Sequence, residues 1–455
     1  MRLVGVDLGT TKVAALLFDA TAGRVLRAVS VAHEANLAAR YSWEGIQDPA
    51  RIARVADELI SELSSSDGRL DALCITGQMH GGLYLDINLT PVSPLFTWLD
   101  ARAAELLPSG GSYATELSRH SGYRVAPGFA AATHYYNLRN RLVPTEAVWL
   151  SSLMDWYAAR LCGLREPVTD ATIAASFGLF DLAALSRNEG AWSDMGSPRM
   201  RLPPVRPAGS LVGHDRTGLP VYLPLGDNQA SLIGAVRDLE RAPLINVGTG
   251  GQVSAYSARM IASEGELDAR PFPGGGIILV GATLASGGAY AMLEAFFREV
   301  IAELGGERVE EPLFEVMNRI ASAVPPGREL IVDTRFKGTR SDPSVSGSIR
   351  GITPDRFHPA QLVAGVVSGI ASELAALLAG LRAQATGQWE YAAAAGNGLR
   401  RNPLLRDRLE RASGLPLRFP AEREEAALGA ALCAGVGAGV YADFPAAARS
   451  VHYEE

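Results

Sequence analysis

Cysteine is scarce in this chain of 455 residues: Cys74, Cys162 and Cys433 stand far apart, without metal-ligand spacing. A disulfide framework is excluded as a source of stability, buried apolar cysteine is the simpler reading, and a reducing, cytoplasmic setting is expected. Lysine is scarcer still, with Lys12 and Lys337 alone, so nearly every basic residue is arginine. The formal charge of −7, with no run of like charge, argues against a nucleic-acid surface and against a membrane- or polymer-binding tail. No basic region followed by an apolar core opens the chain, and no uninterrupted apolar stretch reaches membrane-spanning length, so neither export nor insertion is expected. Low-complexity segments and short-period repeats are also missing. A small soluble substrate is what these absences leave, handled by a monomer or homodimer.

The length exceeds what a single core supports, so two domains are expected, 1–235 and 236–455. Each half carries a short glycine-threonine turn between β-rich runs. Gly9-Thr10-Thr11 follows Leu3-Val4-Gly5-Val6-Asp7, and Gly248-Thr249-Gly250-Gly251 follows Leu244-Ile245-Asn246-Val247. Glycine lets backbone approach an anion, and threonine hydroxyls and exposed N–H groups donate to phosphate oxygens, so each hairpin suits a phosphate. Either alone is also compatible with an ordinary turn; the pair suggests one nucleotide gripped by two lobes. Lys12 either neutralises phosphate charge or lies solvated on the second strand.

Around the first hairpin the pattern predicts an antiparallel three-stranded meander, a helix from about Pro49 to Ser65, and a buried strand Ala72–Thr76 ending in Gly77-Gln78-Met79-His80-Gly81. Ligands in α/β sheets bind beyond the carboxyl ends of strands, which favours that end as a site. Trp98, Asp100 and Arg102 alternate, and in an extended segment all three would face one side. In the second half the spacing predicts helices over about Ala289–Leu304, Pro359–Gln384 and Ala426–Ala438, a loop around Arg340-Ser341-Asp342-Pro343, and an apolar strand Tyr391–Ala395 leading into Gly396-Asn397-Gly398 and Asn402. The last helix, rich in small residues, is expected on the second domain's sheet.

Gly5-Val6-Asp7-Leu8-Gly9-Thr10-Thr11 resembles the first phosphate motif of the actin-like ATPases. With Gly77-Gln78-Met79-His80-Gly81, Trp98-Leu99-Asp100-Ala101-Arg102, Gly226-Asp227-Asn228-Gln229-Ala230 and the second hairpin in order, nearly the whole chain resembles the FGGY carbohydrate kinases. Within that family Asp227–Ser231, Asn246–Ser254 and Ala174–Phe180 are most like sedoheptulokinases, while xylulokinases share Gln-Met-His. The resemblance implies an α/β fold of two duplicated actin-like, ribonuclease H-like domains with a nucleotide cleft between them. It also implies ATP and Mg²⁺, and phosphorylation of a terminal hydroxyl of a ketose, sedoheptulose first and xylulose or another ketose or polyol next.

By the same resemblance Asp227 is the general base, and Asp7 holds Mg²⁺ through water with Asp227 beside it. Gly9, Thr10, Thr11, Gly248, Thr249 and Gly250 take the phosphates, while Gly287, Gly288, Gly398 and Asn402 lie at the nucleoside. Gln78, Met79, His80, Trp98, Asp100, Arg102 and Asn228 meet the sugar. Turns, helix caps and core packing are the structural alternatives for these residues. Ala132-Thr133-His134-Tyr135-Tyr136-Asn137 departs from the family's usual lysine and tryptophan, and Gly128, where glycerol kinases carry a tyrosine, is expected to leave room for a longer sugar. The segment from Gly347 to Leu362 follows the family's second signature only loosely. A conformational ATPase of the actin-like kind, without a sugar acceptor, and a catalytically degenerate sugar-binding regulator are the rivals.

Overall fold

The computed structural model describes all residues except 109, 197–198, 262–264, 306–312, 340–341, 343, 386–387 and 455, and the side chain of Asp67. Of the loop expected around Arg340-Ser341-Asp342-Pro343, all but Asp342 lies outside the described residues. The chain folds as two compact units. One comprises Met1–Arg237, Arg270–Gly276 and Glu424–Val451; the other comprises Asp238–Ala269, Ile277–Arg423 and His452–Glu455.

In the first unit β1 (Arg2–Leu8), β2 (Lys12–Asp19) and β3 (Arg24–Ala32) form the expected antiparallel meander. Helix α1 (Pro49–Asp67), capped by Asp48 and opened by Pro49, returns the chain to β4 (Ala72–Gly77), which pairs parallel with β1. The edge strand β5 (Leu211–His214) and β6 (Pro220–Gly226) complete a six-stranded sheet in the order β5-β6-β4-β1-β2-β3. Helices α2 (Ala130–Arg139), α3 (Ala171–Ser176) and α4 (Asp227–Ala235) supply residues to its rim.

The second unit repeats the plan. Strand β7 (Leu244–Val247) pairs antiparallel with β8 (Gly251–Ser257) and parallel with β11 (Ala392–Ala395). Strands β9 (Leu267–Pro271), β10 (Ile277–Thr283) and β12 (Leu417–Arg418) extend the sheet to β9-β10-β8-β7-β11-β12. Its helices include α5 (Ser286–Gly305), α6 (Pro359–Gln384), α7 (Asn397–Arg400) and α8 (Pro403–Ser413). By length and apolarity α6 could cross a membrane. Its Val363, Val367, Ile370, Leu374, Leu378 and Leu381 are instead buried within this unit, where it packs on β8, β10 and α8.

The last helix, α9 (Glu425–Gly437), corrects an expectation: it packs not on the second sheet but on β1, β4 and α4 of the first. Every residue from Ala427 to Gly435 is buried, so the helix has no polar face to reveal its orientation. Small residues permit the close approach. A Cβ on Gly5 would stand 1.8 Å from the Ala427 carbonyl oxygen, and one on Gly429 would stand 1.9 Å from that of Ala230. Gly429→Ala should therefore force α9 off α4 and lower stability by about 1–3 kcal/mol, the usual cost of overpacking, read as a fall in the urea unfolding midpoint.

Candidate active site

Strands β1, β4 and β6 run parallel, with Leu8 level with Gly77 and Gly77 level with Gly226. Gly9, Gln78 and Asp227 thus leave the sheet together at its carboxyl edge. Asp227 is the first residue of α4, and its approach is fixed from behind: the Gly226 N–H donates to Thr172 Oγ1 at 2.8 Å, and that hydroxyl donates to Asp170 Oδ1 at 2.7 Å. Met79, 3% exposed, fills the space beneath Gly226.

Two carboxylates meet at this edge. Burial, followed by the charges of Asp227 and Glu424, pushes the Asp7 carboxyl up to about 7 against the opposing charge of Lys12. Burial likewise raises Asp227 to about 6, with the Asn228 hydrogen bond and the Arg270 charge working to lower it. Both side chains keep a partial opening to solvent. Lys12 is paired with Glu424 at 2.5 Å, so its ammonium is engaged at the start of α9.

The first hairpin is braced by residues that sequence reasoning missed. His33 Nε2 lies 3.3 Å from the Gly9 carbonyl and 3.0 Å from that of Thr10, while its Nδ1 accepts the Ala35 N–H. The proton therefore sits on Nε2. Gln47 Nε2 donates to the Thr10 carbonyl at 2.7 Å, and Gln47 Oε1 accepts from Gln78 Nε2 at 2.9 Å. Gln78 is 4% exposed and its buried Oε1 has no protein partner. With their carbonyls held from behind, Gly9 and Thr10 form a fixed turn, and Thr11 is exposed.

His80 takes a left-handed backbone conformation, φ 73°, and its ring stacks on Phe129 at 4.5 Å with Nδ1 3.0 Å from the Ser176 carbonyl. A donor at Nδ1 leaves Nε2 as the acceptor nitrogen. Trp98 is 48% exposed and its indole N–H donates to Thr10 Oγ1 at 3.0 Å, tying its segment to the hairpin.

Asp100 and Arg102 require a correction. The segment turns after Phe96 and enters a short 3₁₀ helix, so the alternating positions do not share a face. Asp100 is fully buried and Arg102 is 5% exposed; Arg102 Nε and Nη2 reach the two Asp100 oxygens at 2.7 and 3.0 Å over the Phe96 ring. Arg102 Nη1 donates to Asn137 Oδ1, Asn137 Nδ2 donates to the Tyr84 hydroxyl, and that hydroxyl lies 2.9 Å from His134 Nδ1. This buried relay, with His134 held neutral by burial at about 4, accounts for the departure from the family pattern on α2. Gly128 needs a second correction: a Cβ there would meet the Trp98 carbonyl oxygen at 2.0 Å, so the glycine admits backbone and not a longer sugar.

In the second unit three loops converge at the end of β7. The Gly248-Thr249 tip is exposed. Gly287 lies so close to it that a Cβ would stand 2.1 Å from the Gly248 carbonyl oxygen, and the Gly288 N–H donates to the Thr249 carbonyl at 2.7 Å. The Gly250-Gly251 side is tied down by the Gly251 N–H to Thr283 Oγ1 at 3.0 Å. Gly398 lies against Val247, where a Cβ would approach to 2.6 Å. Asn402, 7% exposed, caps α8 by accepting the Leu405 N–H at 3.0 Å.

Among the described residues no group of three or more His, Cys, Asp or Glu side chains is placed to hold a metal ion. Mg²⁺ needs only one or two carboxylates, with water and phosphate oxygens completing its shell. The Asp7–Asp227 edge fits that requirement, because Asp7 Oδ1 is buried without a hydrogen-bond partner and the two charges oppose one another.

Residues 2–234 match the N-terminal domain of the FGGY family of carbohydrate kinases, and residues 244–438 match its C-terminal domain. The human sedoheptulokinase is 28% identical over 94% of this chain and 96% of its own length. A glycerol kinase of Thermus brockianus is also 28% identical, over 98% and 92%. The structure of xylulose kinase from Rhodospirillum rubrum superposes with a TM-score of 0.86 at 22% identity, covering 100% of this chain and 93% of that one, which establishes the two-domain fold. With both halves matched in order, the chain belongs to the FGGY family of carbohydrate kinases.

Proposed function

We propose that this carbohydrate kinase transfers the terminal phosphoryl group of ATP to a terminal hydroxyl of a ketose, sedoheptulose being the first choice. The observation that carries the reading is Asp227, a carboxylate raised to about 6 at the first turn of α4, level with Gly9 and Gln78 on one sheet edge. A base with that value is ionised at neutral pH yet basic enough to take a hydroxyl proton. Asp227 accepts the proton as the sugar oxygen bonds to the terminal phosphorus, and the bond to ADP breaks. His80 and Trp98 orient the sugar beside it. Asp7, with Asp227 beside it, would hold Mg²⁺, which supplies charge neutralisation on the phosphates. Thr10 and Thr11 hold the terminal phosphate.

Sedoheptulose is favoured by the Asp227–Ser231, Asn246–Ser254 and Ala174–Phe180 stretches together with the coverage of the sedoheptulokinases. A glycerol kinase reaches the same identity, so the acceptor is decided by experiment. Coupled ADP release against sedoheptulose, xylulose, ribulose, fructose, ribitol and glycerol should give the highest kcat/KM with sedoheptulose; a highest value with glycerol overturns the ketose reading.

Asp227→Asn should lower kcat by about two to four orders of magnitude, the usual reach of a general base, with nucleotide binding and the unfolding midpoint retained. An unchanged kcat rules out the role.

The pH profile follows from sign. Protonation of Asp227 removes the base, so kcat/KM should fall as pH drops through about 6, about two units above an ordinary aspartate. An acid limb near 4 would contradict the burial-driven shift.

A further inference from the structure

We propose that Arg270 aims the Asp227 carboxylate by fixing which way the Asn228 side-chain amide faces. The inference rests on the reading of Asp227 as the base. Arg270 Nη1 donates to Asn228 Oδ1 at 2.6 Å, and Asn228 Nδ2 donates to Asp227 Oδ1 at 2.9 Å. An amide has one accepting end and one donating end. With the guanidinium on the oxygen, the NH₂ group must face the carboxylate. Flipped, the amide would set its oxygen against Asp227 and its NH₂ against Arg270, two mismatched pairs. The donor therefore stays on Oδ1 and, with the backbone N–H groups of Asp227 and Asn228 that also stabilise this carboxylate, fixes how it faces the hydroxyl.

Arg270 is itself held in register. It opens Arg270–Gly276, a short stretch that joins the first unit while the residues before it belong to the second. Its neighbour Pro271 accepts from Gln229 Nε2 at 2.8 Å, and Gln229 is fully buried. Consecutive residues of α4, Asn228 and Gln229, thus grip consecutive residues of the stretch, Arg270 and Pro271. Phe272 anchors its far side edge-on against Phe444. The charges that act on the neighbouring Asp7 are those of Asp227, Glu424 and Lys12, with Lys12 paired to Glu424. Asn228, expected to meet the sugar, thus also positions Asp227 through both ends of its amide.

The test compares Arg270→Ala, Asn228→Ala, the double variant and Asp227→Asn in the full-length enzyme, using sugar and MgATP. Arg270→Ala should lower kcat about tenfold to a hundredfold, as expected for a displaced catalytic group, with KM for ATP and the unfolding midpoint unchanged. Guanidinium ion added to Arg270→Ala should restore part of the rate. The double variant should be no slower than Asn228→Ala alone, because both substitutions break one relay. Asn228→Ala, which leaves Arg270 in place, carries the test if Arg270→Ala fails to fold: it should lose the same factor in kcat. Full kcat in Arg270→Ala or in Asn228→Ala, additive losses, or a raised KM for sugar at full kcat would overturn the relay. If Asp227→Asn collapses while Arg270→Ala keeps its rate, the relay alone falls; if Asp227→Asn keeps its rate, the base reading falls first.

Discussion

Mutual repulsion between Asp7 and Asp227 is the constraint around which the first unit is organised. Parallel strands deliver both to one edge, where burial makes each charge costly and each raises the cost of the other. A chain selected for stability alone would separate or pair them. Here Lys12 is paired with Glu424, and Arg270 donates to Asn228, whose amide donates to Asp227. The paired carboxylates suit a divalent cation, which would in turn take phosphate oxygens, and a surrounding of fixed dipoles avoids the cost of rearranging them during reaction.

That edge is rigid because its loops are held from the protein side. His33 and Gln47 bind the carbonyls of the first hairpin, Thr172 binds the Gly226 N–H, and Phe129 and Ser176 clamp His80 in a left-handed conformation. Backbone carbonyls occupied from behind leave the threonine hydroxyls and N–H groups for a ligand. The His80 conformation costs about 1–3 kcal/mol wherever a non-glycine residue adopts it, and its retention against a stacked ring and a carbonyl is consistent with a functional position.

How much of this was legible depended on whether the signal was local. The meander, the two glycine-threonine hairpins, α1 and α6 follow from period and turn chemistry within a few residues, and the first site residues sit where a strand ends. Asp100 and Arg102 misled because alternation was read as an extended segment, whereas the chain turns and makes them each other's partners. Gly128, Gly287 and Gly398 show a related ambiguity: a missing side chain signals close approach, but the sequence does not say whether a ligand or another strand of backbone approaches. Helix α9 could not be oriented, since a helix buried on all sides has no periodicity to read.

Arg270 belongs to a third class. It lies 42 positions from Asn228, in a strand end without a motif of its own, and only the fold brings the two together. Lys12 and Glu424 are 412 positions apart and meet for the same reason. The candidate site residues Gly9, Gln78 and Asp227 sit at strand ends, which is why short motifs capture them. Residues that orient those groups are limited only by reach, so they come from whatever segment topology lays alongside: the Arg270–Gly276 stretch and the α9 cap are both returns of the second half of the chain into the first unit. The carboxylate edge of the first unit is therefore completed by segments encoded after Arg237. A cut there would leave Asp7 and Asp227 in the sequence but remove the guanidinium, the Glu424 carboxylate and the helix packed beneath β1.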